Sequence, residues 1–166
     1  MSLTPLPWLQ VRVELEGSAA IACDPPPGRI VIVGPGHTFA QLAETIDGAF
    51  ARWDLAHLHA FELPDGRCVG LPDAGPPPRD GPRWLDHRAI AVLAALGPAD
   101  RFTYTFDLTA RWRHACRVLE ETVDPHALFG ARPSRPAITF GWGWIPDQYG
   151  RTEGEGFEPS MDGTRP

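Results

Sequence analysis

The sequence contains no lysine, so all 15 basic residues are arginine. That absence removes Schiff-base and pyridoxal-phosphate chemistry, and with them the lysine of a phosphate-binding P-loop. Serine is scarce: Ser2, Ser18, Ser134 and Ser160 are the whole supply, and none lies in a G-x-S-x-G elbow, which argues against a serine hydrolase. The three cysteines, Cys23, Cys68 and Cys116, are odd in number and form no C-x-x-C pair. A disulfide framework and a structural zinc knuckle are therefore disfavoured, and reduced thiols in a cytoplasmic protein are expected. No apolar run approaches the roughly 18 residues of a membrane span, and the N-terminus shows no charged region followed by an apolar one, so no membrane partner is expected.

What is present points to one α+β domain. A chain of 166 residues can bury one real core. Its 17 glycines and 19 prolines cluster between periodic segments, which reads as long loops and not as disorder. The domain is placed at residues 1–151, with a polar, glycine-rich, flexible tail at 152–166. A net charge of −6 disfavours a general nucleic-acid binder, because sequence-independent affinity comes from neutralising phosphates.

The stretch from Thr38 to Leu63 organises the rest. Thr38 and Gln41 form a capping box, and Leu42, Ile46, Ala49/Phe50 and Trp53 recur at helical spacing, so the main helix is predicted over about 38–53. From His57 the period changes to two, with His57, His59, Phe61 and Leu63 on one strand face. Pro64-Asp65-Gly66 then signals a hairpin. With Asp65-Gly66 as a two-residue turn, Leu63 lies opposite Cys68, which joins the face of Phe61 and His59. Leu9 to Glu16 alternates as a strand with one wet face, and Ile30 to Val33 reads as a buried strand. Residues 71–82 read as a loop, and a short second helix is predicted over about 87–96 before Gly97-Pro98. Phe102 to Leu108 and Trp112 to Val118 alternate. Parity sets Phe106 opposite Trp112, Tyr104 opposite His114 and, on the wet face, Asp107 opposite Arg111. A helical turn starts at Asp124-Pro125, and Phe140 to Ile145 forms a last strand with Trp142 and Trp144 on one face.

His57-Leu58-His59-Ala60-Phe61 after a helix, Phe102-Thr103-Tyr104-Thr105-Phe106-Asp107 before Trp112-Arg113-His114, and the closing run from Gly141 to Arg151 together carry a family resemblance. From about Leu9 to Arg151 the chain resembles the plasmid pRi open-reading-frame-three-like family, whose members include proteins labelled as transposon passengers or resolvases. The resemblance implies an α+β fold with a strongly curved, barrel-like, mostly antiparallel sheet around a helix, and no established activity. Where relatives carry Gly-Asp, this chain has Leu108-Thr109-Ala110-Arg111.

Three constellations are candidates for function. Trp142, Trp144, Asp147, Gln148, Tyr149 and Arg151 bring aromatic rings, a carboxylate, an amide, a phenol and a guanidinium together, a set suited to an anionic ligand, against the plainer and favoured reading of a lock on the C-terminal turn. His57, His59, Cys68 and His114, with Cys116 nearby, offer imidazole and thiolate ligands for a divalent metal, against the plainer reading of satisfied, partly buried side chains. Arg111, Arg113 and Arg117 share a strand face from which Trp112 points away, so they read as a solvated face paired with Asp107 and Glu120. Trp8, Trp84 and Trp142 adjoin loops or glycines and are candidates for a concave partner surface. The reading favoured is a non-catalytic interaction or accessory module that binds a protein segment or small ligand on the concave sheet surface near Trp142 to Arg151 and needs no cofactor. A metal-dependent hydrolase is the alternative, and a nucleic-acid accessory factor of a mobile element the third.

Overall fold

A computed structural model describes residues 7–71 and 84–150. The elements run β1 (Leu9–Gly17), β2 (Gly28–Val33), α1 (Phe39–Ala49), β3 (His59–Glu62), β4 (Cys68–Gly70), β5 (Trp84–Asp86), α2 (Val92–Ala95), β6 (Arg101–Phe106), β7 (Trp112–Val118), α3 (Pro125–Phe129) and β8 (Ala137–Trp142). The strands form one curved sheet in the order β5-β4-β3-β6-β7-β1-β2-β8, antiparallel throughout except between β4 and β5. The fold is thus the expected α+β arrangement, with β5 and β8 as the ends of an unclosed sheet. No helix among the described residues is long and apolar enough to cross a membrane. The tail at 152–166 and most of the predicted loop at 71–82 lie outside the described residues.

One sheet face meets α1. Val11, Val13 and Leu15 of β1, Phe61 of β3, Tyr104 and Phe106 of β6 and His114 and Val118 of β7 are buried on it, as the alternation in each strand requires. From the helix, Phe39, Leu42, Ile46 and Phe50 are completely buried, with the Phe39 and Phe61 rings 5.0 Å apart. Burying each of these side chains stabilises the fold by roughly 1.5–3 kcal/mol, so α1 carries a large share of the core.

The capping box forms as expected: Gln41 N–H donates to Thr38 Oγ1 at 3.2 Å and Thr38 N–H to Gln41 Oε1 at 3.0 Å. The helix is shorter than predicted. Ala51 adopts φ +56°, Arg52 N–H donates to Asp47 C=O at 2.8 Å and Ala51 N–H to Gly48 C=O at 3.2 Å, the bond pair of a Schellman stop. Trp53 therefore leaves the apolar stripe and is 43 % exposed. The second helix is also shorter, because residues 87–91 have another task. Their carbonyls cap the start of α1, with Phe39 N–H donating to Ile90 C=O at 3.2 Å and Ala40 N–H to His87 C=O at 2.9 Å.

Two hairpins fix the faces of the candidate residues. In β6–β7, Phe106 pairs with Trp112 and Tyr104 with His114, as parity required. Arg111 N–H does donate to Asp107 C=O across the turn, but Asp107 is buried and not on a wet face: its Oδ1 accepts from the Thr109 and Ala110 amides at 3.0 and 3.1 Å. In β3–β4 the register is one residue off the expected one. Glu62 pairs with Cys68 and Phe61 with Val69, because the connection holds Pro64, Asp65 and Gly66, with Gly66 at φ +86° and its N–H bonded to Leu63 C=O. A slip of one residue turns Cys68 to the face opposite Phe61.

Candidate functional site

The C-terminal candidates form a clamp on the segment that follows α1. The Schellman stop turns Arg52 inward, where its Nε donates to Phe50 C=O at 2.8 Å and its Nη2 to Pro146 C=O at 2.9 Å, with Cζ 4.5 Å from the centre of the Trp112 ring. Gln148 is buried and holds the next residues: its Oε1 accepts the Trp53 and Asp54 amides at 3.0 and 3.1 Å, and its Nε2 donates to Asp54 C=O at 2.9 Å. Asp147, also buried, accepts the Trp53 indole N–H at 3.2 Å and the Tyr149 amide at 3.0 Å. Gln148 thus mimics a strand partner for this stretch.

Tyr149 closes the clamp from outside. Its hydroxyl donates to Asp54 Oδ2 at 2.6 Å, so its oxygen accepts from His57 Nε2 at 2.7 Å. His57 Nδ1 lies 3.4 Å from Asp107 Oδ2. The hydrogen bond from Tyr149 holds the Asp54 carboxyl below its ordinary range, and the same bond pushes the phenol up to about 12. These groups are spent on one another. Trp142 and Trp144 are not side by side, because Gly143 at φ +82° breaks the alternation after β8. Trp142 lies against Gly28, where a β-carbon would collide with its ring, and Arg12 Cζ sits 4.5 Å from the ring centre. Trp144 is half exposed, and Arg151 lies outside the described residues.

His57, His59, Cys68 and His114 do not converge. His59 Nε2 is 2.8 Å from His87 Nδ1, and burial pushes its pKa down to about 4, with the neighbouring imidazole adding to the shift. His114 is completely buried between the Phe50 and Tyr104 rings, with burial pushing its pKa down to about 3, and its Nδ1 lies 3.0 Å from Tyr104 C=O. Cys68 is on the other face of the sheet for the register reason given above. Among the described residues no three histidine, cysteine or acidic side chains gather closely enough to hold a metal ion.

A surface with room for a ligand lies on that other face. A groove of about 730 Å³ lies over β4, β3, β6 and β7. Its floor is made of short side chains, Ala60, Thr103 and Thr105, and its rims of long ones, Trp84 at one side and Arg111 and Arg113 at the other. Residues 18–22 fold over it as a wall: Ser18 N–H donates to Ile21 C=O at 2.8 Å, and Ala19 N–H to Ala110 C=O at 2.8 Å, pinning the wall to the β6–β7 turn. Cys68 faces the groove, with burial and then Glu62 pushing its thiol up in pKa. Arg113 is paired with Glu16 at 3.2 Å, not with Asp107 or Glu120. Of the three tryptophans expected on one surface, Trp84 lines this groove, Trp8 lines a separate cleft beside His37 and Pro133, and Trp142 lies beyond β2.

A model of the plasmid pRiA4b ORF-3-like proteins matches residues 8–141, most of the chain. The chain belongs to this family. Among solved structures it is similar to a protein of unknown function, MM3350, from Methanosarcina mazei Go1. That likeness has a TM-score of 0.61 at 20 % identity and covers 82 % of this chain and 70 % of the other. At that identity the likeness is one of fold. No curated protein matches the chain. In this pRiA4b ORF-3-like chain the groove over β3 and β6 is a candidate site alongside the cleft beside Trp8.

Proposed function

We propose that this pRiA4b ORF-3-like protein is a binding module whose ligand, a small molecule or a short protein segment, lies in the groove over β3, β6 and β7. The observation that carries the reading is the groove's construction. Ala60, Thr103 and Thr105 sink the floor while residues 18–22 are held above it by backbone bonds, so the depth of the space is set by short side chains and backbone. Its volume of about 730 Å³ falls within the range of small-molecule sites. The lining supplies hydroxyls at Thr103 and Thr105, a carboxylate at Glu62 and guanidiniums at Arg111 and Arg113, enough to orient a polar ligand between opposite charges.

Binding is favoured over catalysis by what the reactive groups do. The Cys68 thiol is pushed toward its protonated, unreactive form, and Ser18 Oγ accepts the Ala20 and Ile21 amides that shape the wall. Protein-observed NMR with a library of polar fragments tests the reading. Shift changes should cluster on Thr103, Thr105 and the 18–22 wall and disappear in Thr105→Tyr, which fills the floor without disturbing a strand. Hits that cluster elsewhere, or that persist in Thr105→Tyr, would remove the groove from consideration.

A further inference from the structure

The same sheet face carries, beyond the groove, a feature that no single stretch of sequence displays. Arg101 of β6 lies directly opposite Arg117 of β7, and Arg117 directly opposite Arg12 of β1. The row continues through Ile30 of β2 to Phe140 of β8. Three guanidiniums thus sit side by side across three strands, followed by the Phe140 ring, which at 63 % is the most exposed large apolar side chain among the described residues.

Like charges directly opposite one another destabilise a sheet, and here that happens twice in succession. Arg12 has a partner: its Nε donates to Glu14 at 2.7 Å while its guanidinium lies over Trp142, an arrangement that fixes it in place. Arg101 and Arg117 are exposed, and among the described residues neither forms an ion pair. Phe140 and Trp142 lie 6.0 Å apart with their rings tilted by 35°, so the aromatic end of the row is a small shelf. From Arg101 to Phe140 the row crosses four strand spacings, about 19 Å along the sheet.

We infer that this row is a binding stripe for single-stranded nucleic acid, with phosphates on Arg101, Arg117 and Arg12 and a base against Phe140. Arginines and an exposed ring on one surface are what such a ligand requires, because an extended strand offers alternating charge and π-faces. A duplex, whose bases are stacked away, has no use for Phe140. The stripe is distinct from the groove, whose floor residues Thr103 and Thr105 lie two and four residue pairs further along the strands. The chain's net charge of −6 supplies no general attraction for phosphates, so the salt dependence of binding reports local arginines, and the change in the double variant isolates Arg101 and Arg117.

The test is fluorescence anisotropy of a labelled oligothymidine of about a dozen nucleotides against the full chain. Three phosphate contacts on a single strand give a slope near −2 in log K against log salt, about a 20-fold loss of affinity from 50 to 200 mM. In Arg101→Ser/Arg117→Ser the loss over the same range should fall to about threefold. Phe140→Ser should weaken binding equally at every salt concentration, and Thr105→Tyr should change nothing. Both arginines and Phe140 are exposed, so these variants keep the fold. Absence of binding at 50 mM salt, or a salt slope unchanged in the double variant, would overturn the inference. So would loss of binding in Thr105→Tyr alone, which would place the anion in the groove. Displacement by polyglutamate as effective as by unlabelled oligothymidine would replace the nucleic acid with an acidic protein segment.

Discussion

Asp47 gives the sharpest test of how the core is held together. Its carboxyl is buried on the inner side of α1 and receives the Tyr104 hydroxyl at 2.6 Å. Burial pushes its pKa up to about 7, against the opposing pull of that hydrogen bond and of the Arg52 charge. In the unfolded chain an aspartate titrates near 4. Between those values the folded state binds the extra proton, so the contribution of Asp47 is full below pH 4 and is lost as pH rises through 7. Three pH units at 1.36 kcal/mol each amount to about 4 kcal/mol. His59 and His114 run the other way. Burial lowers them to about 4 and about 3, so their contribution is full above the ordinary value near 6.5 and is lost as pH falls through the folded values. Asp47→Asn removes the one opposing group. Urea unfolding of both proteins at pH 4.5, 6 and 7.5 should show the wild type losing about 1.4 kcal/mol per pH unit relative to the variant in the lower interval, with the loss levelling off above pH 7. A difference that stayed flat, or that moved in favour of the wild type as pH rose, would mean that the Arg52 charge outweighs burial, and the reasoning would fail.

The helix stop and the clamp yield two more expectations. Ala51 occupies a left-handed position that costs a non-glycine residue roughly 1–2 kcal/mol, so Ala51→Gly should raise the unfolding free energy by a net of about 0.5–1 kcal/mol after the flexibility of glycine is counted, read as a higher urea midpoint. An unchanged or lower midpoint would show that the Ala51 methyl group contributes more packing than its conformation costs. Gln148→Ala strips the Trp53 and Asp54 amides of their acceptor and should cost about 3 kcal/mol, with hydrogen exchange at those two amides accelerating far more than in β1. Uniform acceleration would show that the clamp is part of the global core.

What could be read from the sequence was whatever is decided within a few residues. Thr38 and Gln41 satisfy one another locally, so the start of α1 was legible. Parity fixed the β6–β7 register, because Phe106 and Trp112 must share a face whatever the turn. The β3–β4 register was not fixed in this way: Pro64-Asp65-Gly66 serves a two-residue or a three-residue connection, and the choice moves Cys68 from one face to the other. The end of α1 was hidden because an alanine stands where glycine is usual. The groove was hidden for a different reason. It is assembled from the residue 18–22 wall, Ala60, Trp84 and the threonines of β6, which only the strand order brings together. The arginine row was within closer reach: Arg12, Arg101 and Arg117 all sit at outward positions of alternating strands, and only the adjacency of β1 to β7 was missing. The family resemblance, resting on side chains spread from His57 to the closing tryptophans, needed no such knowledge and agrees with the match over residues 8–141.

Because β1 lies between β2 and β7, synthesis leaves it half paired for a long interval. Val11 waits for Val118, and a ribosome adding about 5–20 residues per second needs on the order of ten seconds to supply it. During that time the β1–β2 hairpin presents an unpaired backbone edge, the template on which nascent chains aggregate. The outward residues of β1 include Arg12, Glu14 and Glu16, charges of both signs on a strand whose second partner is made much later. They serve as gatekeepers for the unfinished protein. β8, which completes the far end of the sheet last, has no comparable wait, and its outward positions carry Phe140 and Trp142 instead.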